Sequence, residues 1–126
     1  MNDALDLIDI AGVRRMTGGW HVSIRAELVD ATPQRPKGVD YGLVLNNPNG
    51  ERVLGFDNSH AYDGADSNEP FDHEHRRGKP GRTFRYDYTT SWALLSDFWD
   101  RIDEYIEFHQ ERTGETLEFL DEGEMG

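Results

Sequence analysis

The sequence contains no cysteine, and lysine occurs only at Lys37 and Lys79 among its 126 residues. The missing thiols exclude disulfide bonds and cysteine-based zinc sites. No apolar run approaches the length of a membrane span, and the first ten residues carry acid where a secretory signal carries lysine or arginine. We therefore expect a soluble, cytoplasmic protein with a single domain over residues 1–126.

Positive charge is also scarce, because 13 lysine and arginine residues stand against 25 aspartate and glutamate residues. The resulting net charge of -12 keeps a protein soluble but opposes compaction, and high salt screens the repulsion. This balance is typical of a protein adapted to high salt, with an ordinary acidic protein as the alternative. The net negative charge means that the surface as a whole does not attract nucleic acid or an anionic membrane. Any contact with either must therefore be local.

The first half of the sequence predicts two β-hairpins, over residues 1–31 and 39–58. The clearest strand is "WHVSIRAELV", in which apolar and polar residues alternate as they do when one face of a sheet is buried. The preceding "ALDLIDIAGV" suits a looser strand, and two glycines between these segments supply a turn. In the second hairpin, "NPNG" separates "YGLVLN" from "RVLGFDN" and favours a tight turn.

The second half predicts a loop over residues 59–82, a strand over 83–89 and a long helix over 91–113. The helix follows from a stripe of apolar residues at 3.6-residue spacing, formed by Leu95, Phe98, Trp99, Ile102, Tyr105 and Ile106. Thr90 or Ser91 can cap its start, and Gly114 is a natural stop.

These elements combine into an α+β fold. We expect an antiparallel sheet of about five strands with one long C-terminal helix packed on one face. Residues 115–126 are expected to form an acidic tail.

The loop is the part of the sequence that carries chemistry. Its segment "HAYDGADSNEPFDHEHRRGKPGR" holds three of the five histidines and closes with a run of arginine and lysine. Loops of this length inside compact domains are uncommon, and they are usually functional or disordered. A loop whose charges merely balance nearby acids is the alternative without a function.

A metal site is one hypothesis for this loop. His73 and His75 form an H-x-H unit, whose side chains point the same way on an extended backbone, and His60 or Asp57 could complete the ligand set. The positive charges that follow oppose a bound cation, however. We therefore expect no metal and no other cofactor.

A phosphate-binding site is the second hypothesis. Arginine forks suit phosphate oxygens, and histidine can both accept and donate a proton near neutral pH. Two histidines beside arginines are the groups needed for RNA cleavage without a metal, because one histidine activates the 2'-hydroxyl, another protonates the leaving oxygen and arginine stabilises the developing charge.

The ordered series "VLGFDNSH", "DHEH" and "YDYTTSWALLSDFWDRID" resembles the TumE family of toxins from toxin–antitoxin modules. The resemblance covers residues 41–105, and the motif positions include Asp57 with Asn58 and the segment from Asp97 to Trp99. It implies a toxin whose partner is a cognate antitoxin, with a helix-turn-helix DNA-binding protein as the expected type. Ribonuclease action is inferred from the histidine and arginine residues themselves.

The leading hypothesis is therefore a metal-independent endoribonuclease toxin acting on mRNA. The predicted catalytic residues are His73, His75, His60 and Asp57. The predicted substrate-binding residues are Arg76, Arg77, Lys79, Arg82 and Tyr86, with a place in the core as the alternative for Tyr86. The competing hypotheses are a non-enzymatic module that docks a partner through the basic loop, and a metal-dependent nuclease.

The charge argument makes a prediction about salt. The thermal unfolding midpoint should rise by many degrees between low and molar salt, because screening relieves the repulsion of the -12 charge. A midpoint that is indifferent to salt would contradict adaptation to high salt.

Overall fold

A computed structural model of the chain describes residues 4–32, 38–58, 72–75 and 83–120. Within these residues, six strands form one antiparallel sheet whose spatial order is the order of the sequence. They are β1 (Gly12–Arg15), β2 (His21–Leu28), β3 (Val39–Asn46), β4 (Arg52–Asp57), β5 (Asp72–His75) and β6 (Thr83–Tyr86). The α-helices of the described residues are α1 (Ala4–Asp9) and α2 (Ser91–Thr113). This arrangement confirms the α+β fold with a long C-terminal helix.

The core lies between the sheet and α2. Strands β2, β3 and β4 direct alternate apolar residues toward the helix, so that Val22, Leu43 and Phe56 are fully buried. We call this side of the sheet the inner face. Phe98 of α2 packs against Phe56 with their ring centroids 6.2 Å apart. The opposite side of the sheet, the outer face, is formed by the alternate residues Ser23, Arg25, Gly42, Val44, Gly55, Asp57, His73, His75 and Arg85.

Helix α2 begins and ends where its sequence signals predict. The Thr90 side chain accepts a hydrogen bond from the Ala93 amide at 3.1 Å, which satisfies one of the free amides of the first turn. Gly114 follows the last helical residue with a φ of 82°, a left-handed conformation that glycine adopts without steric cost.

The buried stripe of α2 is rotated slightly from the predicted one. Its fully buried members are Ser91, Leu94, Phe98 and Ile102, with Tyr105 and His109 almost completely buried. The predicted Leu95, Trp99 and Ile106 are half-buried along the side of this stripe. Apolar spacing marks a broad face of a helix, so it leaves open which of two neighbouring apolar residues is central.

The N-terminal segment differs from its prediction. Residues Ala4–Asp9 form α1, and β1 begins only at Gly12, so just the last two residues of the strand expected in "ALDLIDIAGV" belong to a strand. Adjacent Leu7 and Ile8 break a strict alternation, and alanine and leucine favour helix. Leu7 is fully buried and anchors α1 against the core. The predicted pairing with β2 holds for β1, where Val13 lies opposite Ser23.

The segment predicted as a loop over residues 59–82 contains strand β5, which is why the sheet has six strands rather than five. Its sequence, Asp-His-Glu-His, has no apolar residue, so hydrophobic alternation could not identify it. Asp72 and Glu74 nevertheless point to the inner face and are 6% and 5% exposed. The strand alternates in burial as expected, but with acids in place of apolar side chains.

Residues 115–120 differ from the expected acidic tail because they lie beside β1. The Leu120 amide donates to the Arg15 carbonyl at 2.9 Å, and the Thr17 amide donates to the Glu118 carbonyl at 2.8 Å. Leu117 is buried. The hydrogen bonds of this segment therefore join it to the chain where β1 ends, at Arg15 and Thr17. Residues 121–126 lie outside the described part of the chain.

The burial of α2 predicts the result of truncating its aromatic residues. Phe98→Ala should lower the free energy of unfolding by about 3–5 kcal/mol, because it removes a fully buried ring. Trp92→Ala is the matched control on the same helix, since Trp92 is 80% exposed and its loss should change stability by about 0.5 kcal/mol or less. Urea unfolding measures both, and equal effects would contradict this packing.

Candidate functional site

Strand β5 presents two different sets of side chains to the two faces of the sheet. Its histidines, His73 and His75, project to the outer face, while Asp72 and Glu74 project to the inner face. The pairing with β4 places His73 directly opposite Asp57. The structure therefore brings together three of the four predicted catalytic residues on one face.

His75 and Asp57 form the closest pair of this site. Nε2 of His75 lies 2.9 Å from Oδ2 of Asp57, which is a hydrogen bond that orients the imidazole ring. Both side chains are largely sheltered, with 19% and 15% of their surfaces exposed. Arg52 approaches the same carboxylate oxygen at 3.9 Å. A carboxylate holding an imidazole is the arrangement that stabilises a histidine as it gains a proton.

His73 lies beside this pair. The ring centroids of His73 and His75 are 6.3 Å apart, and the rings are tilted by 41°. A general acid or base must come within about 2.6–3.2 Å of the oxygen with which it exchanges a proton. Two imidazoles at this separation can both reach oxygens of a single phosphate group.

The inner residues of β5 hold the strand in place. The Tyr41 hydroxyl donates to Asp72 at 2.6 Å, and the Arg101 guanidinium of α2 donates to Glu74 at 2.7 Å. Burial, followed by the charge of Asp72, raises the pKa of Tyr41 far above its ordinary value. The hydrogen bond to Glu74 likewise raises the pKa of Arg101, so the guanidinium remains protonated at working pH. The histidines thus stand on a strand whose other face is fixed by buried acids.

Tyr86 belongs to the inner face rather than to the histidine site. Its hydroxyl donates to Asp97 of α2 at 2.6 Å, and its ring packs edge-to-face on Phe56 at 4.8 Å. Burial and the hydrogen bond to Asp97 raise the pKa of Tyr86. This position agrees with the core alternative for Tyr86 and places the ring across the sheet from His73 and His75.

Asn58, the second residue of the D-N motif, has a structural role. Its side-chain oxygen accepts from the Tyr41 amide at 3.0 Å, and its side-chain nitrogen donates to the Val39 carbonyl at 2.7 Å. The motif therefore combines a buried amide that secures the end of β4 with the carboxylate of Asp57 on the outer face. His60, Arg76, Arg77, Lys79 and Arg82 lie outside the described residues.

Two interactions of this site escaped the sequence analysis. Arg52 approaches Asp57, and Arg101 holds Glu74 from the helix. Both arginines are distant in the sequence from the histidines, and only the strand register and the helix position bring them together. Within residues 4–32, 38–58, 72–75 and 83–120, no group of three or more histidine, aspartate or glutamate residues has the geometry of a metal site.

Comparison with known proteins identifies the family. The profile of the family described as Toxin TumE matches residues 11–106, which span β1 through most of α2. The chain belongs to the TumE toxin family. The protein is thus a toxin of a toxin–antitoxin module, and a cognate antitoxin is its partner.

Searches of curated proteins and of solved structures found no match to the chain. In the described part of this TumE protein, no helix has the length and apolar character needed to cross a membrane.

The support of β5 by α2 predicts a loss of stability when Arg101 is removed. Arg101→Ala should lower the free energy of unfolding by about 1–3 kcal/mol, because Glu74 is buried and loses a charged hydrogen-bond donor. Arg112→Ala removes the same charge from the exposed end of the helix and should cost less than about 1 kcal/mol. Equal costs in urea unfolding would show that the Glu74 contact does not support the strand.

Proposed function

We propose that this TumE protein is an endoribonuclease toxin that cleaves mRNA without a metal, using the histidines of β5. The observation that supports this function is the placement of His73 and His75 on one face of one strand, with Asp57 bound to His75. Three groups able to exchange protons or to orient one another thus lie within reach of a single phosphate.

The hydrogen bond to Asp57 supports an assignment of the two histidine roles. His75 is the general base, because the carboxylate stabilises the imidazolium that forms when the ring takes a proton. His75 removes the proton of a ribose 2'-hydroxyl, and the 2'-oxygen forms a bond to the adjacent phosphorus. His73 donates a proton to the 5'-oxygen as its bond to phosphorus breaks. The products are a 2',3'-cyclic phosphate and a 5'-hydroxyl.

The charge that develops on the phosphate requires cationic groups nearby. Arg76 and Arg77 follow His75 directly in the sequence, and Lys79 and Arg82 follow within seven residues. Guanidinium groups bind phosphate oxygens in pairs of parallel hydrogen bonds and stabilise such charge more strongly than water does. We assign Arg76 and Arg77 to the reacting phosphate, with His60 as a further candidate for proton transfer.

The proton-transfer roles predict the effect of replacing the histidines. His73→Ala and His75→Ala should each lower the rate of RNA cleavage by about 10²–10⁴ and release the growth arrest of cells that express the toxin without its antitoxin. His21→Ala is the matched control, since His21 lies on β2, three strands away from β5. Each variant's thermal midpoint verifies that it is folded. A folded double variant that remains fully toxic would disprove the assignment.

The products and the effect of chelators separate the competing functions. A substrate with 2'-deoxyribose at the cleaved position should resist cleavage, and EDTA should leave the wild-type rate unchanged. Loss of activity in EDTA with recovery on adding zinc would favour the metal-dependent nuclease instead. Growth arrest with intact RNA would favour the non-enzymatic docking module.

Arg77→Lys tests the phosphate contact without removing charge. Lysine cannot make the forked pair of hydrogen bonds, so the variant should cleave more slowly although its net charge is that of the wild type. Arg112→Lys on α2 makes the same chemical change at a distance from the site and should cleave as the wild type does. Equal rates for the three proteins would mean that Arg77 contributes charge alone or lies away from the phosphate.

A further inference from the structure

A continuous row of side chains crosses the outer face of the sheet through the histidine site. The strand registers pair Arg25 of β2 with Gly42, Gly42 with Asp57, Asp57 with His73, and His73 with Arg85. Neighbouring strands lie about 4.8 Å apart, so the row is roughly 19 Å long from Arg25 to Arg85. The row begins and ends with an arginine.

Gly42 leaves room for the side chain of Arg25 to lie toward Asp57 and His75. The guanidinium of Arg25 lies over Gly42, and a Cβ at this glycine would come within 3.3 Å of Nη2 of Arg25. Glycine inside a strand often marks a place where another group approaches the backbone closely. Because Gly42 pairs with Asp57, the guanidinium is one strand away from the carboxylate that holds His75.

The ion pair of Arg25 leaves the guanidinium available to a ligand. Nη1 of Arg25 donates to Asp40 at 3.1 Å, and half of the arginine side chain is exposed. Exposed ion pairs of this kind contribute little to the free energy of folding. Stability alone therefore does not explain why Arg25 lies over Gly42 in the middle of the sheet. A phosphate is a stronger partner, since two oxygens can accept from the guanidinium fork.

The distribution of charge also favours the outer face for a polyanion. Helix α2 carries six carboxylates and two arginines over Ser91–Thr113, so the helix side repels RNA. On the outer face, by contrast, Arg25 and Arg85 flank the site, and each is paired with an acid, Asp40 and Asp87 respectively. Arg52 approaches Asp57 there, so cations offset the acids of this face. An RNA strand can therefore approach this acidic protein on the outer face.

We propose that Arg25 binds a phosphate of the RNA substrate that neighbours the phosphate cleaved by His73 and His75. The RNA strand then crosses the β-strands along the row from Arg25 toward Arg85, with the reacting phosphate over β4 and β5. This inference rests on the proposed ribonuclease function, since it takes the histidines as the point of cleavage. Arg25 is a substrate-binding residue, and Gly42 is the residue that positions it.

Binding to an uncleavable RNA tests the role of Arg25 directly. The probe is a single-stranded oligonucleotide with 2'-O-methyl riboses, and its dissociation constant is measured by fluorescence anisotropy between about 50 and 200 mM salt. Arg25→Ala should weaken binding about tenfold and lower the slope of log Kd against log salt by about 0.7, the value for one lost phosphate contact on a single strand. Arg25→Lys should recover the salt slope but only part of the affinity.

Three further variants distinguish binding by Arg25 from a structural role. Gly42→Val retains the arginine but places a branched side chain where its guanidinium lies, so it should also weaken binding. Asp40→Asn removes the competing carboxylate and should tighten binding severalfold. Arg112→Ala, the control for net charge on α2, should bind nearly as the wild type does. A structural role would not make Arg25→Ala and Asp40→Asn act in opposite directions.

Several outcomes overturn the inference. The first is that the wild-type protein does not bind the probe. The second is that Arg25→Ala binds RNA as tightly as Arg112→Ala does. The third is that the variants change the affinity for the antitoxin and leave the affinity for RNA unchanged. Failure of the proposed function looks different, because the wild type would then bind RNA through Arg25 without cleaving a natural 2'-hydroxyl substrate. If both proposals hold, Arg25→Ala should raise KM with little change in kcat.

Discussion

The anchoring of β5 by its two buried acids is the interaction on which the candidate site depends. A four-residue strand with no apolar side chain has no hydrophobic reason to join a sheet, and its place is secured by Tyr41 on Asp72 and by Arg101 on Glu74. Burying an acid is costly unless it is paired and hydrogen-bonded. Asp72 and Glu74 have such partners on the inner face, which favours the observed orientation of the strand. Since side chains alternate, that orientation also directs both histidines to the outer face.

The inner network also connects the site with the helix. Arg101 and Asp97 lie on α2 one turn apart, and they bind Glu74 of β5 and Tyr86 of β6 respectively. The two strands that carry His73 and Arg85 are therefore attached to the element that packs the core. A site on such strands is held more rigidly than one on a loop, which suits proton transfer that requires close approach.

The sequence predicted those parts of the molecule that apolar patterns or turn residues specify. Alternation identified β2 and β6, the Asn-Pro-Asn-Gly turn identified the β3–β4 hairpin, and Thr90 with Gly114 bounded the helix. Prediction failed at β5 and at residues 115–120, where hydrogen bonds to distant residues place the chain. Such long-range pairing has no local signature in the sequence. The histidines could therefore be predicted as site residues from their chemistry, but the face of the sheet on which they lie could not be predicted.

The order of the strands has a consequence for the length of the connections between them. Each strand pairs with its neighbour in sequence, so residues 58–71 connect β4 and β5, two strands that are adjacent and antiparallel in the sheet. The entropy lost on closing such a connection grows only logarithmically with its length, by about 0.6 kcal/mol for each doubling. This hairpin can therefore lengthen or shorten at little thermodynamic cost. Asp57 and His73 would remain opposite each other, because their register is set by the strands themselves and by the acids beneath them.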